Sequence, residues 1–177
     1  MCIRDSDEAE VPYALVRERP RTPVPTPVEI TGPVGGVRFT SMREDRPVLL
    51  SCEMAARLPI VARAARRQNV TDIAILSSHR NRPRQSFHTM GMALDIFSFA
   101  TPRGTMVVND HFVETPAHQT CDAPRPSDWR AAALLRIACD LARSRRFNSV
   151  LTPNYNDGHR NHFHIDIRPD DDRVFLR

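Results

Sequence analysis

The sequence predicts an α+β domain, a small antiparallel sheet flanked by helices. Strand-like runs dominate, at Val70–Ser77, Met92–Phe99 and Asn161–Arg168. They are β-branched and apolar, or alternate with period two. Two other stretches, Cys52–Gln68 and Asp128–Arg145, repeat apolar residues at helical spacing. Helices that precede strands, rather than strands alone, favour a sheet covered by helices.

At 177 residues the chain is one domain's worth. Residues 1–35 hold Pro12, Pro20, Pro23, Pro25, Pro27 and Pro33 with few large apolar residues. They read as an extended, disordered linker, with an arm wrapped over the domain as the alternative. The folded domain then spans residues 36–177. Gly35-Gly36 punctuates its start, and Val37–Ser41 alternates as an edge strand. Ser51, followed by Glu53, is a helix N-cap. Met54, Ala55, Leu58, Val61, Ala62 and Ala65 form the apolar stripe of the first helix. Pro59 inside that run predicts a kink or a short turn before the main helix. Arg57, Arg63, Arg66 and Arg67 read as its solvated face.

Val70–Ser77 is a central strand and Ser78–Gln85 a polar loop. Gly91 is a turn, and Met92–Phe99 a second strand. Met92, Leu94 and Ile96 share one face of it; Asp95 lies on the other with Ala93 and Phe97. A hairpin at Arg103-Gly104 leads to Thr105–Val108. His111–Pro126 is loop. The helix from Asp128 buries Ala131, Leu134, Leu135, Ala138, Leu141 and Ala142, with Trp129 packed in its first turn. Phe147–Leu151 is a strand, Pro153–Gly158 a turn, and the tail from Asp170 is solvated.

No run approaches 18 apolar residues, which excludes a helical membrane span. Net charge is +4, and all 25 basic residues are arginine. Acids and bases are mixed along the chain, so the charge identifies no partner. The opening MCIRDSDEAE lacks the apolar core of a secretory signal, and Cys2 is given no role. Cys52, Cys121 and Cys139 form no CxxC pair, which argues against thiolate zinc. Three cysteines permit one disulfide and one free thiol.

The chemistry concentrates in two places. In the last strand His162, His164 and Asp166 alternate with Phe163, Ile165 and Ile167, so the polar three share one face. Such a face is costly unless it is wet or binds a metal. Earlier, His88 and Asp95 lie seven residues apart around Gly91, which can turn the chain back on itself. One His and one carboxylate from here, with one His from the last strand, make a three-ligand zinc site. Three protein ligands leave one position open, the arrangement of a hydrolytic centre. Solvated histidines on an exposed sheet would leave the His88–Asp95 spacing as coincidence.

Ser86-x-His88-x-x-Gly91-x-Ala93-x-Asp95 resembles the zinc signature SxHxxGxAxD. That signature is shared by zinc D-alanyl-D-alanine carboxypeptidases, penicillin-insensitive murein endopeptidases and the hedgehog signalling domain. His162-x-His164, with His159 three residues earlier, resembles the endopeptidase branch. Leu151-x-Pro153, Asn156 and His159-x-x-His162-Phe-His164-x-Asp166 look most like the bacterial extensin-like C-terminal domain. The resemblance covers Ser51–Arg168 and implies a hedgehog/DD-peptidase-like fold. It also implies that His88, Asp95 and His164 bind zinc, that His162 is the general base and that His159 lies near the oxyanion. Arg80 looks like the arginine that grips a substrate carboxylate. From the residues alone, Asp166 can orient a histidine from behind or pair with an arginine. His79 stands where that domain usually has a cysteine, so the disulfide framework departs from the family's; Cys121 with Cys139 is the first pairing expected. His79 is either a metal neighbour or a loop residue, and His111 and His118 are surface residues.

The function expected is a zinc-dependent hydrolase acting on a peptide bond of peptidoglycan, with a zinc-bound water and a His base. The alternative is a non-catalytic zinc module that binds cell wall or protein. A metal-dependent nuclease is disfavoured, because the chain lacks an acidic cluster for two metals and its arginines are not interleaved with aromatics. The partners are peptidoglycan or peptide and not nucleic acid. The resemblance implies the cell envelope or periplasm.

Overall fold

A computed structural model describes residues 10–16, 20, 23–83, 86–115 and 120–177. The readings of the first nine residues, of Cys2 and of His118 lie outside the described residues. No described helix is long and apolar enough to cross a membrane.

A three-stranded antiparallel sheet joins β1 (Tyr13–Leu15), β2 (Pro27–Ile30) and β4 (Leu49–Ser51) in the order β1-β2-β4. For the described part of residues 10–35 this corrects the reading as a disordered linker and fits the alternative of an arm packed over the domain. Val28 and Val34 are fully buried, and Val11 and Val24 nearly so. Val34 and Val37 bridge across the expected domain boundary. The prolines do not prevent docking, because a strand needs only alternate N–H groups on each edge. Ile30 N–H still donates to Val48 and Thr31 N–H to Pro12.

The main sheet contains β3 (Arg38–Ser41), β5 (Asp72–Ser77), β6 (Ala93–Thr101), β7 (Gly104–Val107), β8 (Ser149–Leu151), β9 (Phe163–Asp166) and β10 (Phe175–Leu176). Its order is β10-β8-β9-β6-β5-β3, with β7 also paired to β6. The α+β class holds, but the sheet is larger than expected and mixed. β3–β5 and β10–β8 are parallel, and the other pairs are antiparallel. The β3–β5 pair is possible because helices lie in the connection. The tail is a strand in part: the Asn148 side chain accepts from Arg168 N–H and donates to the carbonyls of Asp171 and Arg173. That clamp carries Phe175 to the free edge of β8.

Ser51 caps α1 (Cys52–Ala55) through a hydrogen bond from Met54 N–H at 3.2 Å. Pro59 then sits in the first turn of α2 (Leu58–Arg66), where its missing N–H is harmless. A short helix, α3 (Val108–His111), interrupts the expected loop, with the His111 ring held by Val107. Asp128 caps α4 (Trp129–Arg143), accepting from the N–H groups of Arg130 and Ala131. Leu134, Ile137 and Leu141 of α4 join Leu94, Ile96, Phe163 and Ile165 of the sheet in one core. Each fully buried side chain of this size contributes roughly 1.5–3 kcal/mol. Cys121 and Cys139 form a disulfide, as expected. Cys52 is also disulfide-bonded, so the expected free thiol is absent among the described residues.

Candidate metal centre

The site lies on the face of the sheet opposite the core. In the β6–β9 register Asp95 pairs with His164, Ala93 with Asp166 and Leu94 with Ile165. Alternation therefore sends Leu94 and Ile165 into the core and aims Asp95 and His164 at one point on the other side.

His88 reaches that point from a single 3₁₀ turn, Phe87–Met90. The Ser86 side chain caps it, accepting from His88 N–H at 3.3 Å. Gly91 ends it in the left-handed region at φ 67°. A Cβ there would lie 2.6 Å from the Ser51 nitrogen and 2.8 Å from Val24 Cγ1, so only glycine fits. Its carbonyl accepts from Ser51 N–H at 2.9 Å, locking the turn to β4. Ser86 and Gly91 are thus the frame of the turn that places His88.

His88 Nε2 is 3.1 Å from Asp95 Oδ1 and 3.3 Å from His164 Nδ1, and His164 Nδ1 is 2.8 Å from Asp95 Oδ1. The three side chains can hold a metal ion. Their outward-facing nitrogens are engaged. His88 Nδ1–H donates to the Ser78 carbonyl at 2.7 Å, and His164 Nε2–H donates to Asp166 Oδ2 at 3.2 Å. In the neutral rings that a metal requires, these bonds would leave the lone pair of the other nitrogen directed inward. Asp166 Oδ1 is in turn 3.3 Å from Arg168 Nε, close enough for ion pairing but not aligned as a hydrogen bond.

The charges follow from this packing. Burial would raise Asp95, but hydrogen bonds from His164 and His88 outweigh it and keep the carboxyl far below its ordinary value. Burial would lower His164, but Asp166 and Asp95 outweigh it and raise the ring to about 9. Asp166 is held below the ordinary carboxylate range, burial being outweighed by the His164 hydrogen bond.

His162 sits just before β9 with Nε2 3.5 Å from Asp95 Oδ1 and Nδ1–H on Asn161 Oδ1 at 2.8 Å. Burial pushes it down to about 4, so it is neutral at neutral pH. His159 packs 5.2 Å from His162 and 5.8 Å from His164, ring to ring, with Nδ1–H on Asn156 at 2.7 Å. It too is lowered by burial and then by His164. Arg80 Nη1 lies 3.9 Å from Asp95 Oδ2, and its Nε is buried without a hydrogen-bond partner. All six site residues read from the sequence therefore gather at one centre.

A cleft of about 400 Å³ adjoins it, lined by His79, Arg80, Asp95, Asn161 and His162, with Arg43 and Arg46 from the β3–β4 connection. His79 lines this cleft without joining the metal cluster, its ring lowered by burial and by its neighbours His88 and Arg46. Ser78, Asn161, Arg43 and Arg46 also contact or line the centre, and the sequence does not single them out. Asn161, next to His162, had a local signal; the others depend on the tertiary fold.

The sequence family described as extensin-like protein C-terminus matches the chain over residues 1–175. The chain belongs to this family. The match takes in the N-terminal sheet as well as the metal cluster, so β1 and β2 are part of the extensin-like domain. A search of curated proteins and a search of solved structures each found no match.

Proposed function

We propose that this extensin-like domain is a zinc-dependent hydrolase that cleaves a peptide bond in cell-wall peptides, with His162 as general base. The observation that carries this reading is a third histidine, His162, neutral and 3.5 Å from the carboxylate of a three-residue cluster able to hold a metal.

Two histidines and a carboxylate form a usual ligand set for catalytic zinc. Zinc–ligand distances of about 2.0–2.1 Å in a tetrahedron put ligand atoms roughly 3.3 Å apart. The three separations here are 2.8, 3.1 and 3.3 Å, so the donor set fits with small adjustments. When bound, zinc supplies Lewis acidity, lowering the pKa of water and polarising a carbonyl.

The chain's own residues account for the remainder. Asn161 holds the Nδ1–H tautomer of His162 and leaves Nε2 free to accept a proton from the attacking water. As the amide C–N bond breaks, His162 returns that proton to the leaving nitrogen, and water's oxygen stays on the carboxyl product. His159 borders the same centre. Stabilising an oxyanion there requires an N–H at Nε2, which appears when the ring protonates or the Asn156 amide reverses. Arg80 offers its guanidinium to a substrate carboxylate, with Arg43 and Arg46 extending the basic lining. Peptides rich in free carboxylates, as cell-wall stem peptides are, suit such a cleft.

The test is digestion of purified cross-linked muropeptides, with metal analysis of the same preparation. One zinc per chain, new amino and carboxyl termini, and loss of both after chelation are expected. One zinc with every peptide intact would favour the non-catalytic binding module. Iron in place of zinc, for which two histidines and one carboxylate also form a common site, would overturn the zinc assignment.

A further inference from the structure

A second recess, of about 460 Å³, shares no lining residue with the cleft at the metal centre. It opens where the turn between β6 and β7, the end of α2 and the first turns of α4 meet. Ala132 and Ala133 lie in its lining, and their small side chains leave the space open. Four arginines surround it: Arg67, Arg103, Arg125 and Arg136. Arg67 pairs with Asp140 at 3.1 Å. Among the described residues, no carboxylate lies within 4.0 Å of the other three.

Trp129 organises the cluster. The Arg103 guanidinium packs 4.6 Å from the indole centre, and that of Arg130 packs at 4.8 Å. Arg130 Nε is buried with no hydrogen-bond partner. The indole thus fixes cations by cation–π contact and is not left open for a base to stack on. Several unopposed guanidinium groups in one recess repel each other, and its low-dielectric walls concentrate their field. An anion relieves that repulsion, and planar guanidinium forks match phosphate and carboxylate oxygens.

We infer that this recess is a binding site for a polyvalent oxyanion, with two phosphate or carboxylate groups carried on one small molecule or along a polymer. The site is independent of the hydrolytic reading, because it shares no residue with the metal centre.

Trp129 is the only tryptophan in the chain, so its emission reports on this recess directly. The experiment titrates the full chain with fructose 1,6-bisphosphate and with fructose 6-phosphate at constant ionic strength, before and after chelation of metal. Wild type is compared with Arg136→Ala, an exposed helical position where alanine preserves the helix. The expected result is saturable change with the bisphosphate, unaffected by chelation. Half-saturation should rise about tenfold in Arg136→Ala, the loss of one charge-assisted hydrogen bond. A flat titration, identical curves for the two proteins, or the same change with sodium chloride alone would overturn the site. With binding established, competition by polygalacturonate places the natural oxyanion on a polymer, and its absence places it on a small molecule.

Discussion

Nδ1 of His164 lies 2.8 Å from Oδ1 of Asp95, across paired strands in which the two residues are direct neighbours. Asp166 holds the other side of the ring, and together the carboxylates outweigh burial and raise His164 to about 9. Without metal the ring is therefore cationic at neutral pH. A divalent ion needs the Nδ1 lone pair, so binding at pH 7 must expel a proton. Affinity should rise about tenfold per pH unit toward 9 and level off above it. The sign for stability is opposite in the metal-free protein. A folded value above the ordinary 6.5 gives stability that is complete below 6.5 and lost as pH rises through about 9. Calorimetry of zinc binding in buffers of different ionisation enthalpy should show close to one proton released at pH 7. No release would remove His164 from the ligand set.

Asp166 would act on a bound metal through His164. Its carboxylate fixes the ring tautomer and is itself braced by Arg168. Asp166→Ala should weaken metal binding by about 10–100-fold. Asp166→Asn, which keeps an acceptor, should lose less. Competition against a chelator of known affinity measures both, and equal affinities for all three proteins would contradict this role.

Gly91 is a structural requirement of the site. Its left-handed backbone and its contact with the Ser51 nitrogen leave no room for a methyl group. Gly91→Ala should destabilise the fold by about 3 kcal/mol or more, from strain plus overpacking. Urea unfolding of the metal-free chain gives the number, and a change below about 0.5 kcal/mol would show that the turn yields easily.

In the proposed mechanism Asn161 would orient His162 rather than the metal. Asn161→Ala should lower kcat by at least about tenfold with zinc content unchanged, since a misdirected imidazole loses much of its general-base contribution. Asn161→Asp, which still accepts from Nδ1–H, should recover most of it. Nitrogen NMR of the His162 ring should show the Nδ1–H tautomer in wild type and a mixture in the alanine variant.

The residues of the candidate metal cluster were legible because each depends on local order. Alternation in β9 puts His164 and Asp166 on one side, with His162 just before the strand, and the His88–Gly91–Asp95 spacing describes one turn and one strand. That both stretches meet follows from the β6–β9 register, which no local pattern specifies; the complementary ligand types suggested it and the resemblance supported it. The N-terminal segment was misread because its prolines carry the signature of an extended chain, while Val24, Val28 and Val34 alternate too sparsely to announce a buried strand. The parallel placement of β3 and β10 was not legible either. It depends on the crossover through the helices and on the Asn148 side chain, which clamps the tail to the sheet edge. Arg43 and Arg46 enter the cleft from a connection whose sequence is merely polar.

The most direct measurement compares zinc content and muropeptide cleavage in wild type and His162→Ala. One zinc per chain is expected in both, with cleavage falling by about 10²–10⁴-fold in the variant. Equal cleavage by the two proteins would contradict His162 as base, and absence of zinc from wild type would contradict the site built from His88, Asp95 and His164.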